Sequence, residues 1–192
     1  MAIREEDDPE RETDPRVVRR AVAEDAPSVA AVHVRSWQAA YRGLVPDEVL
    51  DSLSVDRRAA FWVDTIADPD PRRAVWVLER GGALVGFVHV RPTKDVDAAP
   101  STGEVSAIYL APEAWSLGLG RALLDAAVVD LCRNGFQAAT LWVFRDNERA
   151  RRFYGRAGWA PDGALKSIEI GGVLLAEVRH RIDLAARVGR SC

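Results

Sequence analysis

The chain has 192 residues, 48% of them hydrophobic, which suits one domain with a core of its own. A formal charge of −3 and the lack of a long Lys/Arg block argue against nucleic acid or a membrane surface as partner. No apolar run approaches the roughly 20 residues that span a bilayer, and two cysteines outside any metal-binding spacing, Cys132 and Cys192, fit reduced thiols in a cytoplasmic protein with no metal site.

Residues 1–16 hold seven acids against three arginines and one branched apolar residue, Ile3, and are expected to form a disordered tail. They contain no apolar run of signal-peptide type. One domain is expected over 17–184, with a short tail at 185–192. VVRRAV (17–22) reads as a short strand. Asp25, Ala26 and Pro27 then read as a helix start, an N-cap followed by proline in the first turn. Val29, Val32, His33, Trp37 and Ala40 follow at helical spacing, and Gly43 ends that helix. PDEVLDSL (46–53) starts a second helix, and VDRRAAFWVDTI continues helical after a break. AVWVLER (74–80), Gly81-Gly82 and ALVGFVHVR (83–91) form a hairpin, because paired glycines supply the positive φ of a tight primed turn. A polar loop (92–102) leads to the strand EVSAIYL (104–110). A helix follows Gly118 and Gly120 and stops near Asn134-Gly135. AATLWVF (138–144) is a strand, ERARRFYGRAG (148–158) a short helix, and IEI (168–170), Gly171-Gly172 and VLLAEVRHRIDL (173–184) a last hairpin. This order predicts an α/β (α+β) fold, with a single mixed, mostly antiparallel central sheet of about six to seven strands flanked by helices.

The stretch IYLAPEAWSLGLGRALLDAA (108–127) passes from strand through turn to helix. A helix N-terminus offers unpaired N–H groups and the positive end of the dipole to an anion, and glycines let a ligand approach closely. The stretch is not a Walker loop, since Gly-Lys-Ser/Thr is absent. It fits a dinucleotide-binding turn poorly, since Leu123 occupies the third small-residue position and three strands precede it.

Trp115-Ser116-Leu117-Gly118-Leu119-Gly120, followed by Arg121-Ala122-Leu123-Leu124, resembles the coenzyme A diphosphate loop of the GCN5-related N-acetyltransferases, with Trp115 standing where Gln or Arg is usual. LWVFRDNERARRFYGRAGW (141–159) resembles the next block of the same family through Asn147, Ala150, Phe153-Tyr154, Gly158 and Trp159. The resemblance covers about residues 17–184, with 104–159 carrying its specificity. It implies the acyl-CoA acyltransferase fold, acetyl-CoA as cosubstrate, acetyl transfer to a primary amine on a small molecule or peptide, and a homodimer as a common assembly. It further implies backbone contacts to coenzyme A from Leu117 to Ala122, and a strand at Ile108, Tyr109 and Leu110 that parts from 139–143 so that pantetheine fills the gap. Asn147 and Ala150 are placed at the pantetheine.

An alkylamine with a pKa around 10 must lose a proton before it attacks, the thiolate needs a proton, and the oxyanion needs donors. The resemblance makes Tyr154 the general acid and Glu104, four residues before Ile108, the base candidate. His33, Trp37 and Tyr41 share one helix face and are candidates to line the acceptor pocket. Alternatives are a non-catalytic acyl-CoA-binding or regulatory module on the same fold, a nucleotide-binding α/β protein, and a transferase of longer acyl chains.

Overall fold

Seven strands form one mixed sheet in the order β1-β2-β3-β4-β5-β7-β6. The structure is a computed structural model that describes residues 16–185; the expected tails at 1–16 and 185–192 lie outside the described residues except for Arg16 and Ala185. The strands are β1 (Arg16–Arg20), β2 (Ala74–Arg80), β3 (Ala83–Pro92), β4 (Thr102–Leu110), β5 (Ala138–Phe144), β6 (Ala160–Ile170) and β7 (Val173–Asp183). All neighbouring strands run antiparallel except β4 and β5, which are parallel. The helices are α1 (Ala26–Ala40), α2 (Asp47–Asp51), α3 (Val55–Ile66), α4 (Leu119–Arg133) and α5 (Glu148–Arg156). None is long and apolar enough to cross a membrane among the described residues.

Two layers of core follow from strand alternation. Val88 and Val90 of β3, Val105 of β4, and Leu141 and Val143 of β5 point to α4 and α5 and meet Leu123, Leu124, Leu131 and Tyr154. The opposite face sends Val75, Val77 and Phe87 against Val29, Val32 and Trp62 of α1 and α3. A third cluster joins Trp37 and Tyr41 of α1 to Phe144, Ile168 and Leu175. Both tight turns use two left-handed glycines, Gly81-Gly82 (φ 57° and 76°) and Gly171-Gly172 (φ 58° and 79°), as primed hairpin turns require. The second turn presses on α2: a Cβ at Gly171 would lie 2.4 Å from Val49 Cγ2.

Three local expectations change. Arg16 opens β1 and so belongs to the fold. Asp25 stands at the start of α1, but its carboxylate makes no side-chain cap; Arg19 takes it at 2.7 and 2.9 Å. β6 begins at Ala160, well before the expected 168, because it is an edge strand whose exposed, polar residues and a register shift between Pro161 and Leu165 leave no apolar alternation to read.

The loop from β3 to β4 is pinned across the sheet by one arginine. Arg179 of β7, whose side chain is 10% exposed, donates to Asp97 through both Nη atoms (2.7 Å each), to Asp162 through Nε (2.7 Å) and to Asp95 (3.2 Å). Asp95 also accepts from the Trp142 indole at 3.1 Å. Arg179→Ala is expected to cost roughly 3 kcal/mol at pH 7, since the two sheltered carboxylates Asp95 and Asp162 lose their cation. The Arg179 hydrogen bond also holds the exposed Asp97 carboxyl below its ordinary value, so the part of the stability that comes from this pair exists above the usual carboxylate range and is lost as pH falls through the lowered value. Urea melts at pH 7 and pH 3 should show the gap between variant and wild type narrowing in acid.

Candidate active site

β4 and β5 pair over three residues only, Thr102 to Glu104 against Ala138 to Thr140. Beyond that point β4 keeps its bonds to β3 and leaves β5. The parting coincides with a β-bulge: His89 faces Ala107 and Val90 faces Val105, so Ser106 is the extra residue. Its hydroxyl meets His89 Nδ1 at 2.7 Å. A bulge bends its strand and raises local twist, which here carries residues 105–110 away from β5. The split holds a cavity of about 820 Å³ that touches all the elements the sequence singled out.

On one side the cavity meets the glycine turn. Ser116 (φ 62°) and Gly118 (φ 75°) are both left-handed, and Gly118 immediately precedes α4. The first turn of α4 thus borders the cavity through Gly118, Gly120 and Arg121, and its N–H groups and dipole favour an anion there. Gly120 lies within α4, and a Cβ there would meet Leu110 Cδ1 and Phe153 Cζ at 3.4 Å, an ordinary contact distance. Leu117 is exposed, Leu119 and Ala122 turn into the core, and none of these three expected contact residues lines the cavity. Trp115 donates its indole N–H to the Leu110 carbonyl at 2.8 Å, and the Arg149 guanidinium stacks 3.9 Å over its ring. The sequence reading missed Arg149, because it sits in an arginine-rich helix stretch where no spacing marks it out. Asn147 caps α5 by accepting the Ala150 N–H at 3.1 Å, and both residues line the cavity.

Tyr154, on the buried face of α5, also reaches the cavity. Burial holds its phenol well above the ordinary tyrosine value, with the nearby Tyr109 adding to the effect; it stays a proton donor at any physiological pH. Ile108, Tyr109 and Leu110 line the opposite wall.

The face toward α1 carries Trp37, Tyr41, Glu104, Trp142, Phe144, Lys166 and Glu177. Tyr41 packs on Phe144 (5.0 Å between ring centroids) and so bridges over the split. Burial, foremost, raises the Tyr41 and Tyr109 phenols, with the Glu177 charge contributing to both. Glu104 is buried, and its Oε2 accepts from Arg91 Nε at 2.9 Å. Glu177 lies opposite Phe144 in the ladder. The sequence reading passed it over; its one signal was a carboxylate within the apolar run VLLAEV. Trp37 and Tyr41 meet the cavity as expected, but His33 does not line it. The His33 ring stacks on Tyr109 (4.7 Å, 19°) and its Nδ1 accepts from Trp62 Nε1 at 3.2 Å, which places it in the aromatic core beneath the site. No cluster of metal-binding side chains occurs among the described residues.

A sheet split at a parallel pair and facing a glycine-led helix start is the arrangement that the sequence resemblance implied. The family model described as "Acetyltransferase (GNAT) family" matches residues 32–159, and the chain belongs to that family. It is 32% identical to the uncharacterized N-acetyltransferase YuaI of Bacillus subtilis over 84% of this chain and 89% of that protein. The PaiA N-acetyltransferase of Thermoplasma acidophilum, solved with coenzyme A, superposes with a TM-score of 0.72 at 19% identity, covering 88% of this chain and 99% of the other. For yncA of Salmonella typhimurium, solved with its cofactor acetyl-CoA, the TM-score is 0.69 at 20% identity, over 88% and 94%.

Burial, chiefly, pulls the imidazole of His33 down to about 3 and that of His89 to about 4. The unfolded imidazoles take a proton near pH 6.5 and the folded ones do not, so this stability is complete above pH 6.5. It drains away as pH falls toward the folded values, at up to about 1.4 kcal/mol per pH unit for each ring. His33→Asn retains an acceptor for Trp62, and urea melts between pH 7 and 4 should show a shallower slope than wild type.

Proposed function

We propose that the protein is an acetyl-CoA-dependent N-acetyltransferase that moves the acetyl group to a primary amine by direct attack in a ternary complex. The observation that carries this reading is the split between β4 and β5, open to both faces of the sheet and lined by the expected acid and carboxylate. Acetyl-CoA supplies an acetyl group activated as a thioester. The first turn of α4 would hold the diphosphate, aided by Arg149 on its Trp115 platform, and the unpaired edge of β4 at 105–110 would pair with the pantetheine amides as a neighbouring strand does. Backbone donors on that edge are fixed in place and need little reorganisation to stabilise charge developing on a carbonyl oxygen.

Tyr154 protonates the departing sulfur. The acceptor enters from the α1 face, gives its ammonium proton to Glu104, directly or through water, and attacks the carbonyl carbon with its nitrogen lone pair; the carbon–sulfur bond breaks as the Tyr154 proton passes to sulfur, and the second nitrogen proton restores the Tyr154 phenol, leaving an amide and a free thiol. Glu104 remains the base candidate; it lines the cavity and accepts from Arg91 Nε at 2.9 Å. The half-buried Cys132 packs against the core and does not line the cavity, so no cysteine of the described residues is placed to carry an acetyl group.

Thermal-shift titration with acetyl-CoA, coenzyme A, NAD and ATP tests the reading. A ligand at 100 times its Kd should add about 2.7 kcal/mol, and only the two coenzyme A forms are expected to do so. Stabilisation by NAD alone would instead mark a nucleotide-binding protein. Tyr154→Phe is expected to keep the acetyl-CoA shift while lowering kcat roughly 10²-fold, read by thiol release across a panel of amines. Binding without turnover of any amine by wild type would leave the non-catalytic acyl-CoA module as the account.

A further inference from the structure

We propose that Glu177 is the docking carboxylate for the acceptor's ammonium group, and that the acceptor is a primary amine on an uncharged apolar or aromatic body. The inference rests on the acetyltransferase reading and deepens it.

Two carboxylates line the cavity among the described residues, Glu104 and Glu177. They differ in how firmly each is neutralised. Glu104 and Arg91 are opposite one another in the β3–β4 ladder and meet at 2.9 Å, with side chains 10% and 23% exposed. That pair is built into the sheet. Glu177 is equally sheltered, its side chain 14% exposed, but its cation is Lys166 at 3.4 Å, on a side chain 42% exposed. A charge-assisted N–H···O bond is ordinarily 2.7–2.9 Å, so this contact is long. Lys166 also has a second resting place, since its ammonium lies 4.1 Å from the centre of the Trp142 ring. An incoming ammonium can therefore take Glu177 while Lys166 stays over Trp142 at the solvent edge.

The surroundings define the rest of the acceptor. Strand alternation places Glu177 on the same face as Phe144, directly across the ladder, where Tyr41 packs. Trp37, Tyr41, Phe144 and Ile168 give this part of the cavity aromatic and aliphatic walls. Arg91, the other strand-borne cation of the cavity besides Lys166, is already engaged by Glu104. The remaining cavity arginines, Arg121, Arg149, Arg152 and Arg156, belong to α4 and α5 on the cofactor side. A carboxylate carried beside the amine would thus find no firmly held partner, whereas an apolar body would be enclosed.

The experiment compares wild type, Glu177→Gln, Glu177→Asp and Lys166→Ala. Acetyl-CoA thermal shifts come first: loss of binding by wild type would sink the acetyltransferase reading itself, and loss by Glu177→Gln alone would make Glu177 a fold-supporting residue and overturn the proposal. Thiol release is then followed with phenethylamine, hexylamine, phenylalanine and glucosamine. Wild type should prefer phenethylamine and hexylamine. Glu177→Gln should raise the KM for the amine about 10- to 100-fold with the KM for acetyl-CoA unchanged, Glu177→Asp should recover part of it, and Lys166→Ala should leave or lower it. An unchanged amine KM in Glu177→Gln overturns the proposal. So does a wild-type preference for phenylalanine or glucosamine, or wild type that binds acetyl-CoA yet acetylates neither phenethylamine nor hexylamine.

Discussion

The parting of β4 from β5 is the constraint on which the rest of the molecule turns. A sheet interior normally pairs every backbone group, and unpaired edges away from water are costly. This protein keeps one such edge open through residues 105–110. The bulge at Ser106 starts the divergence one residue beyond the last paired position plus its neighbour, and its hydroxyl is tied to His89. Large side chains then hold the gap from both faces: Phe153 and Tyr154 below, Tyr41 and Tyr109 above. At the far end the Trp115 indole satisfies the Leu110 carbonyl, so the edge is capped rather than left wholly bare.

Most of the architecture was legible from the sequence because most elements bury one face. β2, β5 and α3 have the bounds that alternation or helical spacing gave, since valines, leucines and tryptophans recur at the period each element requires. β6 was not legible, because an edge strand rich in exposed residues leaves no period to read. The glycine turn could be assigned to the site from its position, but what separates its two glycines could not. Gly118 answers to a left-handed backbone, whereas a Cβ at Gly120 would meet Leu110 and Phe153 only at ordinary contact distance, a distinction that only the structure supplies.

The acceptor side was the least legible. His33, Trp37 and Tyr41 share a helix face, yet the first points into the aromatic core while the other two reach the cavity. A helical stripe is wider than the strip that lines a split in a sheet, so periodicity cannot say where core ends and pocket begins. Glu177 and Arg149 reach the site from elements distant in sequence from the glycine turn. Their roles depend on how firmly their neighbours Lys166 and Trp115 hold them, which is a matter of ångströms.

The glycine turn between β6 and β7 bears on the acceptor side in another way. Gly171 has no space for a Cβ because Val49 and Pro46 at the start of α2 crowd against it. The hairpin that carries Lys166, Ile168 and Glu177 and the helical segment following Tyr41 therefore touch where the bare backbone of Gly171 meets the side chains of Val49 and Pro46, at a separation set by the absence of one carbon atom. That contact works as a shim of zero thickness. The width of this part of the cavity is linked to a position that does not line it, and a single added methyl would drive its two walls apart as a wedge does.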